Sequence, residues 1–284
     1  MLDHPLPEIS SWVNYFSEQE LPVLRHTCRQ LQVARDNMET VTSKDIARIV
    51  LQDPLMAVRV LSYIQPLTRN KRLHHDVTTV AGAIMMLGIK PFFTRFEHLA
   101  SIEDKLRDAP PQALLGALRV IHRAQQASRY AYDWAVWRLD MNVEEVVLAA
   151  LLHDLTETLF YCFAPQLALS VRALQQKNPQ LRSDVAQRQI LHGISARDIQ
   201  SALCKAWHLP ELLLKLIDDD HADHPRVKNV VLAVNLARHL AHGWQDTALP
   251  DDLKAIAQLL NLSEAALGQR LGLAPPESGA SLAK

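Results

Sequence analysis

The sequence predicts an all-α protein, and three observations carry that prediction. Only eight of the 284 residues are glycine, and alanine and leucine dominate the composition. No segment shows a convincing alternation of apolar and polar residues, and no Asn-Gly or Asp-Gly pair offers a hairpin turn. Apolar residues instead recur at helical spacing along most of the chain. At this length, we expect one large domain or two small ones.

Helix signals begin close to the N-terminus. A first apolar stripe runs from Leu21 to Ala34, and Thr42 with Asp45 resembles a capping box at the start of the next helix. Asp53-Pro54 is a strong helix start, because Asp accepts hydrogen bonds from free backbone N–H groups and Pro suits the first helical position. We expect that helix to stop before Pro66. A short helix should follow over Thr79–Gly88, with Gly88 beyond its end.

The second half begins with a long helix from Pro110-Pro111 to about Arg138. Glu144 and Glu145 suit the positive N-terminal end of the next helix, which carries His153-Asp154. That helix is apolar on all sides, so we expect it to be central to the core. Later helices are predicted to begin near Pro165, Ser183, Ser195, Pro210, Pro225, Pro250 and Ser263.

Composition excludes several classes of function. The formal net charge of -1 gives no general attraction to nucleic acid or to an anionic membrane, and the basic cluster Arg69–Arg72 is short. The three cysteines lie far apart, which argues against a disulfide framework and a Cys-x-x-Cys metal site. No signal peptide is recognised, and no apolar stretch reaches the roughly 20 residues that span a bilayer. We therefore expect a cytoplasmic protein. Glycine-rich phosphate loops and a Gly-x-Ser-x-Gly nucleophile motif are absent from the sequence.

The dipeptide His153-Asp154 is the most informative polar feature, because polar groups in so apolar a helix need partners. One interpretation is a structural knot of hydrogen bonds between helices. The other is a divalent metal site, in which a bound water is activated for attack on phosphorus. His122 precedes His153 by 31 residues and is a candidate first ligand. Glu157 shares a helix face with His153, and is expected either to orient the imidazole or to face solvent.

A second polar segment, Asp218–His224, places three aspartates at a predicted helix C-terminus, where they oppose the macrodipole. A cation would compensate for that charge, and Asp220 or His221 would be its ligand. The alternative is a solvated, charged loop.

These pieces, taken in order, resemble the HDOD domain, a bacterial relative of the HD phosphohydrolases. The resemblance extends over about 21–241 and includes Leu21-Pro22, the Asp53-Pro54 helix, Val77–Lys90, Leu151–Leu155 and Trp207–Pro210. It implies an HD-like helical bundle with an N-terminal helical lobe, a lobe boundary near 100–111, and a regulatory rather than catalytic role. An N-terminal extension (1–20), a C-terminal helical extension (242–274) and a disordered tail (275–284) would complete the chain.

The sequence departs from the pattern of active HD enzymes at a residue that would be needed to bind the metal. The distant metal-binding Asp is expected within 230–241, and that segment has none. Asn235 or Arg238 stands there instead, depending on register. We therefore expect a non-catalytic signalling module that binds no cofactor, with His122, His153 and Asp154 as vestigial metal candidates. The alternative is a metal-dependent phosphohydrolase that uses those three residues with Asp220 or His221.

The expected partner is an unidentified regulatory protein, with no nucleic acid and no membrane. A module without chemistry must act through a surface. We expect that surface where the two lobes meet, near the aromatic cluster Phe92, Phe93 and Phe96 and the basic cluster Arg69–Arg72, since aromatic groups beside positive charge favour interaction hot spots. The alternative is that these phenylalanines belong to the core.

Overall fold

The computed structural model describes residues 1–70, 77–178 and 180–272, with side chains omitted for 67–70. Within these ranges the chain is helical and has no strand, so the all-α prediction is confirmed. The basic cluster Arg69–Arg72 and the tail 275–284 lie outside the part described in full. The helices of the first half are α1 (Ile9–Ser17), α2 (Arg25–Asp36), α3 (Ser43–Val50), α4 (Pro54–Asn70), α5 (Val80–Leu87), α6 (Ile89–Arg95) and α7 (Ile102–Lys105).

The second half contains the longest helix and most of the core. Its helices are α8 (Pro111–Trp137), α9 (Val143–Leu152), α10 (Leu155–Phe163), α11 (Pro165–Lys177), α12 (Ser183–Ile190), α13 (Ala196–Ala206), α14 (Glu211–Ile217), α15 (Pro225–Leu240), α16 (Leu249–Leu260) and α17 (Glu264–Arg270). Helices α8, α9 and α15 pack against one another at the centre. Helices α2 to α6 pack together as the N-terminal lobe, and the buried side chains of both halves form one continuous core.

Local sequence signals set most helix starts. Thr42 and Asp45 form a complete capping box at the start of α3. The Asp53 carboxylate accepts from the backbone N–H groups of Leu55 and Met56 at 3.1 Å each, as predicted for the start of α4. Its second oxygen accepts from the backbone N–H of Leu24 at 2.7 Å and from the hydroxyl of Thr27. This buried carboxylate therefore also fixes α2 to α4, which the sequence does not show.

The predicted end of α4 before Pro66 is wrong, because α4 continues through Pro66 to Asn70. Pro66 is exposed and lies close to the end of the helix. A proline there removes one backbone hydrogen bond without forcing buried groups apart, so the helix can continue. The turn at Gly88 is confirmed: its φ of 86° lies in the left-handed region that favours glycine, and it separates α5 from α6.

The N-terminal extension contains α1, which packs into the core of the second half. Trp12 and Phe16 are fully buried. The Trp12 ring meets the edge of Phe160 with centroids 5.1 Å apart, and Phe16 contacts Phe163 at 6.1 Å. The hydroxyl of Tyr15 donates to the backbone carbonyl of Phe163. Helix α1 is therefore an integral part of the folded unit.

The phenylalanines Phe92, Phe93 and Phe96 are all buried, at 0%, 4% and 6% exposure. Phe92 and Phe93 lie on α6 and Phe96 follows it directly; the Phe92 ring meets the other two in edge-to-face and tilted contacts, and all three belong to the core. Of the two interpretations of these phenylalanines, the one that places them in the core is confirmed, and they do not form an exposed cluster. Within α6 the buried residues are Phe92 and Phe93, whereas Ile89 is half-buried and Pro91 is exposed.

Residues 143–163 are long and apolar enough to span a membrane by length and composition, contrary to the sequence-based expectation. The 18-residue window has a mean hydropathy of 1.5, and 78% of it is buried inside the fold. This span is α9 and α10 together, packed against α8 and α15. Burial of this helix pair, which we predicted for the helix from about Glu144, is confirmed.

Candidate functional site

The candidate site lies at a break between two helices. Helix α9 ends at Leu152 and α10 begins at Leu155, so His153 and Asp154 form the junction instead of lying within one helix. Such a break leaves backbone groups unpaired in the core. The side chain of Gln200 on α13 binds these groups. Its oxygen accepts from the N–H and hydroxyl of Thr156, and its nitrogen donates to the carbonyls of Leu152 and His153.

His153 bridges two carboxylates. Its Nδ1 lies 3.1 Å from Oδ1 of Asp154, and its Nε2 lies 2.9 Å from Oδ1 of Asp219. Because both partners are acceptors, both ring nitrogens must donate, and the ring is an imidazolium cation. Burial lowers the pKa of His153, but the hydrogen bonds to Asp154 and Asp219 outweigh burial and raise the pKa above its usual value.

Asp154 is surrounded by positive charge. Arg123 on α8 donates to its Oδ2 at 2.7 Å, and Arg238 on α15 donates to its Oδ1 at 3.1 Å. Burial raises the pKa of Asp154, but the guanidinium groups of Arg238 and Arg123, with His153, outweigh it and hold the pKa well below its usual range. The carboxylate is therefore ionised and fully engaged by protein cations.

Arg123 also connects the network to α10. Its guanidinium also donates to Glu157 at 2.6 Å. Burial lowers the pKa of Arg123, but the negative charges of Glu157 and Asp154 outweigh it, so the pKa is raised and the guanidinium remains charged. Glu157 thus pairs with an arginine, and neither of the two roles expected for it is found.

The acidic turn after α14 supplies the second carboxylate. Asp219 contacts both His153 and Arg197, which approaches from α13. Burial raises the pKa of Asp219, but the hydrogen bond from His153 and the charge of Arg197 lower it overall. Two cationic side chains, His153 and Arg197, thus compensate the charge of Asp219. The side chains of Asp220 and His221, the residues named from the sequence, are 84% and 71% exposed and neither contacts His153.

The structure does not bring His122 to the junction. Its side chain is exposed on α8, where Nε2 lies 3.1 Å from the amide nitrogen of Gln126. One residue further along the helix, Arg123 faces the junction instead. A step of one residue turns the side chain by roughly 100° around an α-helix, so the two neighbours cannot share a face. Asn235 likewise has no contact with Asp154, and Arg238 is the residue of α15 that reaches it.

The donor set does not fit a divalent ion. A metal ligand needs a neutral imidazole nitrogen or an available carboxylate oxygen, whereas both nitrogens of His153 and both oxygens of Asp154 are engaged. Two guanidinium groups beside the same carboxylate would repel a cation. Among the residues described, no group of three or more His, Cys, Asp or Glu side chains is arranged to hold a metal.

Sequence reasoning missed four residues of this site: Arg123, Gln200, Arg197 and Asp219. The charge excess of the acidic turn signalled that a cation was needed there. Arg123 gave a weaker signal, as an arginine next to the apolar stripe of a central helix. Nothing local marks Gln200 or Arg197, because their partners lie more than twenty residues away in sequence.

Solved structures with a similar fold come from several bacteria. The MmoQ response regulator from Methylococcus capsulatus is 18% identical with a TM-score of 0.65, covering 91% of this chain and 99% of that one. A virulence factor from Campylobacter jejuni is 20% identical with a TM-score of 0.65, covering 94% and 93%. An HDOD domain protein from Geobacter sulfurreducens is 21% identical with a TM-score of 0.47, covering 92% and 93%. No curated protein sequence matches this chain.

The sequence profile of the HDOD domain matches residues 21–223. This range includes the N-terminal lobe, the junction at His153-Asp154, and Asp219. It ends before α15, so Arg238 lies outside the range that defines the family. Since the match covers well over half of the 284 residues, the chain belongs to the HDOD domain family.

Proposed function

We propose that this chain is a non-catalytic signal-transduction module that acts through protein contacts. The observation that supports this most directly is the pairing of Asp154 with Arg123 and Arg238. In a metal hydrolase that carboxylate must be free to bind a cation. Here two guanidinium groups hold it, and the bridging imidazolium of His153 adds a third positive charge.

The network suits a structural and coupling role. It joins α8, the α9–α10 junction, α13, the acidic turn and α15 through the side chains of one cluster. Networks of charge-assisted hydrogen bonds stabilise one particular arrangement of the elements that they join. A module that transmits a signal by contact needs such a defined arrangement, because its surface must be presented in a reproducible form.

Metal content and hydrolysis together test this proposal. The chain is purified after growth with added manganese and iron, bound metal is measured by mass spectrometry, and bis(p-nitrophenyl) phosphate is the hydrolysis substrate. We expect well below one ion per chain, and no hydrolysis above that of the His153→Ala variant. His26→Ala is the matched control, since His26 is exposed on α2 and is a candidate ligand under neither interpretation.

About one ion per chain, lost in His153→Ala, would contradict the proposal. Hydrolysis that depends on His153 and Asp154 would favour the alternative, a metal-dependent phosphohydrolase. In that case the arginines would have to move away from Asp154 when the ion binds.

A further inference from the structure

An open groove lies on the N-terminal lobe, between α2 and α6. Its volume is about 280 Å³. The floor is apolar and consists of Leu31 from α2, Phe93 from α6 and Phe96 directly after α6. The half-buried Cys28 and Leu99 lie beside it. None of these residues belongs to the network around Asp154. The groove is therefore a feature separate from the site described above.

The rim of the groove is positively charged. Arg29 and Arg35 line it from α2, and Glu97 lines it from the segment after α6. Arg35 pairs with Glu97 at 2.6 Å, so one acid and one base neutralise each other across the groove. Arg29 is exposed and forms no ion pair with a described residue. One positive charge thus remains beside an apolar floor.

The size and chemistry of the groove define an occupant. Pockets for drug-sized ligands occupy roughly 300–1,000 Å³, so this groove is suited to one or two apolar side chains. Shallow apolar grooves beside helices commonly receive the anchor residues of an amphipathic segment. A carboxylate beside the anchor would pair with Arg29, and charge complementarity of this kind supplies specificity.

We infer that the α2–α6 groove binds a segment of a partner protein in which a large apolar side chain lies within one helical turn of an Asp or Glu. This inference rests on the proposed function, because it names the partner chemistry through which a contact-based module would act. It differs from the surface expected where the two lobes meet, because the groove lies within the N-terminal lobe. Phe93 and Phe96 serve as a buried floor, and the basic component is Arg29.

A displayed peptide library, selected on the full chain, tests the inference. We expect enriched peptides to combine a large apolar residue with a nearby acidic one. Their affinity should fall about tenfold or more in Arg29→Glu, since a hydrogen bond between charged groups is worth about 1.5–3 kcal/mol. Arg188→Glu is the matched control, because Arg188 is exposed on α12 and the charge change is the same. Melting temperatures of both variants establish that they are folded.

Cysteine alkylation gives the position of binding. Cys28 lines the groove, whereas Cys162 and Cys204 are buried, and burial raises the pKa of each of those two thiols to about 12. A peptide bound in the groove should slow the reaction of Cys28 with iodoacetamide. Failure to enrich any peptide, enrichment of peptides without acidic residues, equal binding to Arg29→Glu, or unchanged alkylation of Cys28 would each overturn the inference.

The two proposals fail by different measurements. A stoichiometric metal with hydrolysis that depends on His153 would end the proposed function and leave the peptide result to be read separately. A metal-free chain that selects no acidic, apolar peptide would end the groove assignment alone.

Discussion

Replacing Asp154 with alanine should destabilise the fold strongly. The carboxylate accepts hydrogen bonds from Arg123, Arg238 and His153. Arg238 is 32% exposed and can turn toward water, but Arg123 and His153 are largely buried and keep only Glu157 and Asp219 as partners. Two charge-assisted hydrogen bonds at about 1.5–3 kcal/mol each, partly compensated by these remaining partners, give an expected loss of about 2–4 kcal/mol.

This estimate lies near the roughly 3–5 kcal/mol observed when one member of a buried ion pair is removed. For a chain of this size it corresponds to a fall of roughly 3–7 °C in melting temperature. Thermal unfolding followed by circular dichroism measures it. Glu157→Ala is the control, since Glu157 contacts the same arginine but is more exposed, and should cost about 1 kcal/mol.

A melting temperature that is unchanged or higher in Asp154→Ala would refute the reasoning. Residues of catalytic sites often carry strain, so that their removal leaves stability unchanged or improves it. That result would indicate that Asp154 serves chemistry and that the arginine pairs contribute little to stability.

Further predictions concern the residues around the junction. The raised pKa of His153 stabilises the fold below the unfolded pKa of about 6.5, and this contribution is lost as pH rises through the folded pKa. The melting temperature of the wild type should therefore fall as the pH rises from 6 to 9, and it should fall less steeply in His153→Gln. The control His122→Gln should behave like the wild type. Parallel curves for all three proteins would count against an imidazolium bridge. Gln200→Ala should lower the free energy of unfolding, measured in urea, by about 2–4 kcal/mol, because it leaves several buried backbone groups unpaired. A decrease below about 0.5 kcal/mol would mean that water takes the place of the Gln200 amide. Asp53→Ala should lower the free energy of unfolding by at least about 2 kcal/mol in the same assay, since the cap of α4 and its link to α2 are both lost. A decrease of only about 1 kcal/mol would indicate that the carboxylate stabilises the fold only as the cap of α4.

Helix starts could be predicted from sequence because their signals are local. Pro111, Pro165 and Pro225 each stand in the first turn of a helix, and Thr42 caps its helix through a residue three positions away. These signals depend on backbone geometry within one turn. The continuation of α4 past Pro66 was not predictable in this way, because it depends on which backbone groups are exposed in the folded chain.

The site was only partly predictable, because its contacts also depend on how the helices pack in the folded chain. The pair His153-Asp154 was apparent as polar residues in an apolar run. Which cation would face it depended on the rotation of α8, and a shift of one residue separates His122 from Arg123. An arginine near an apolar stripe is usually interpreted as a boundary residue whose long side chain extends to water, so its inward direction became evident only from the packing.

The packing of α1 has a consequence for where this protein can be divided. The family range begins at residue 21 and ends at 223, yet Trp12 and Phe16 cover the rings of Phe160 and Phe163 from outside that range. A fragment cut at the family boundaries would leave these two rings facing water at one end. At the other end it would lack α15, and the face of α8 that α15 covers would be exposed to water. The stretch that the family profile matches is thus shorter than the stretch whose side chains form one core, and its two flanks complete the interior.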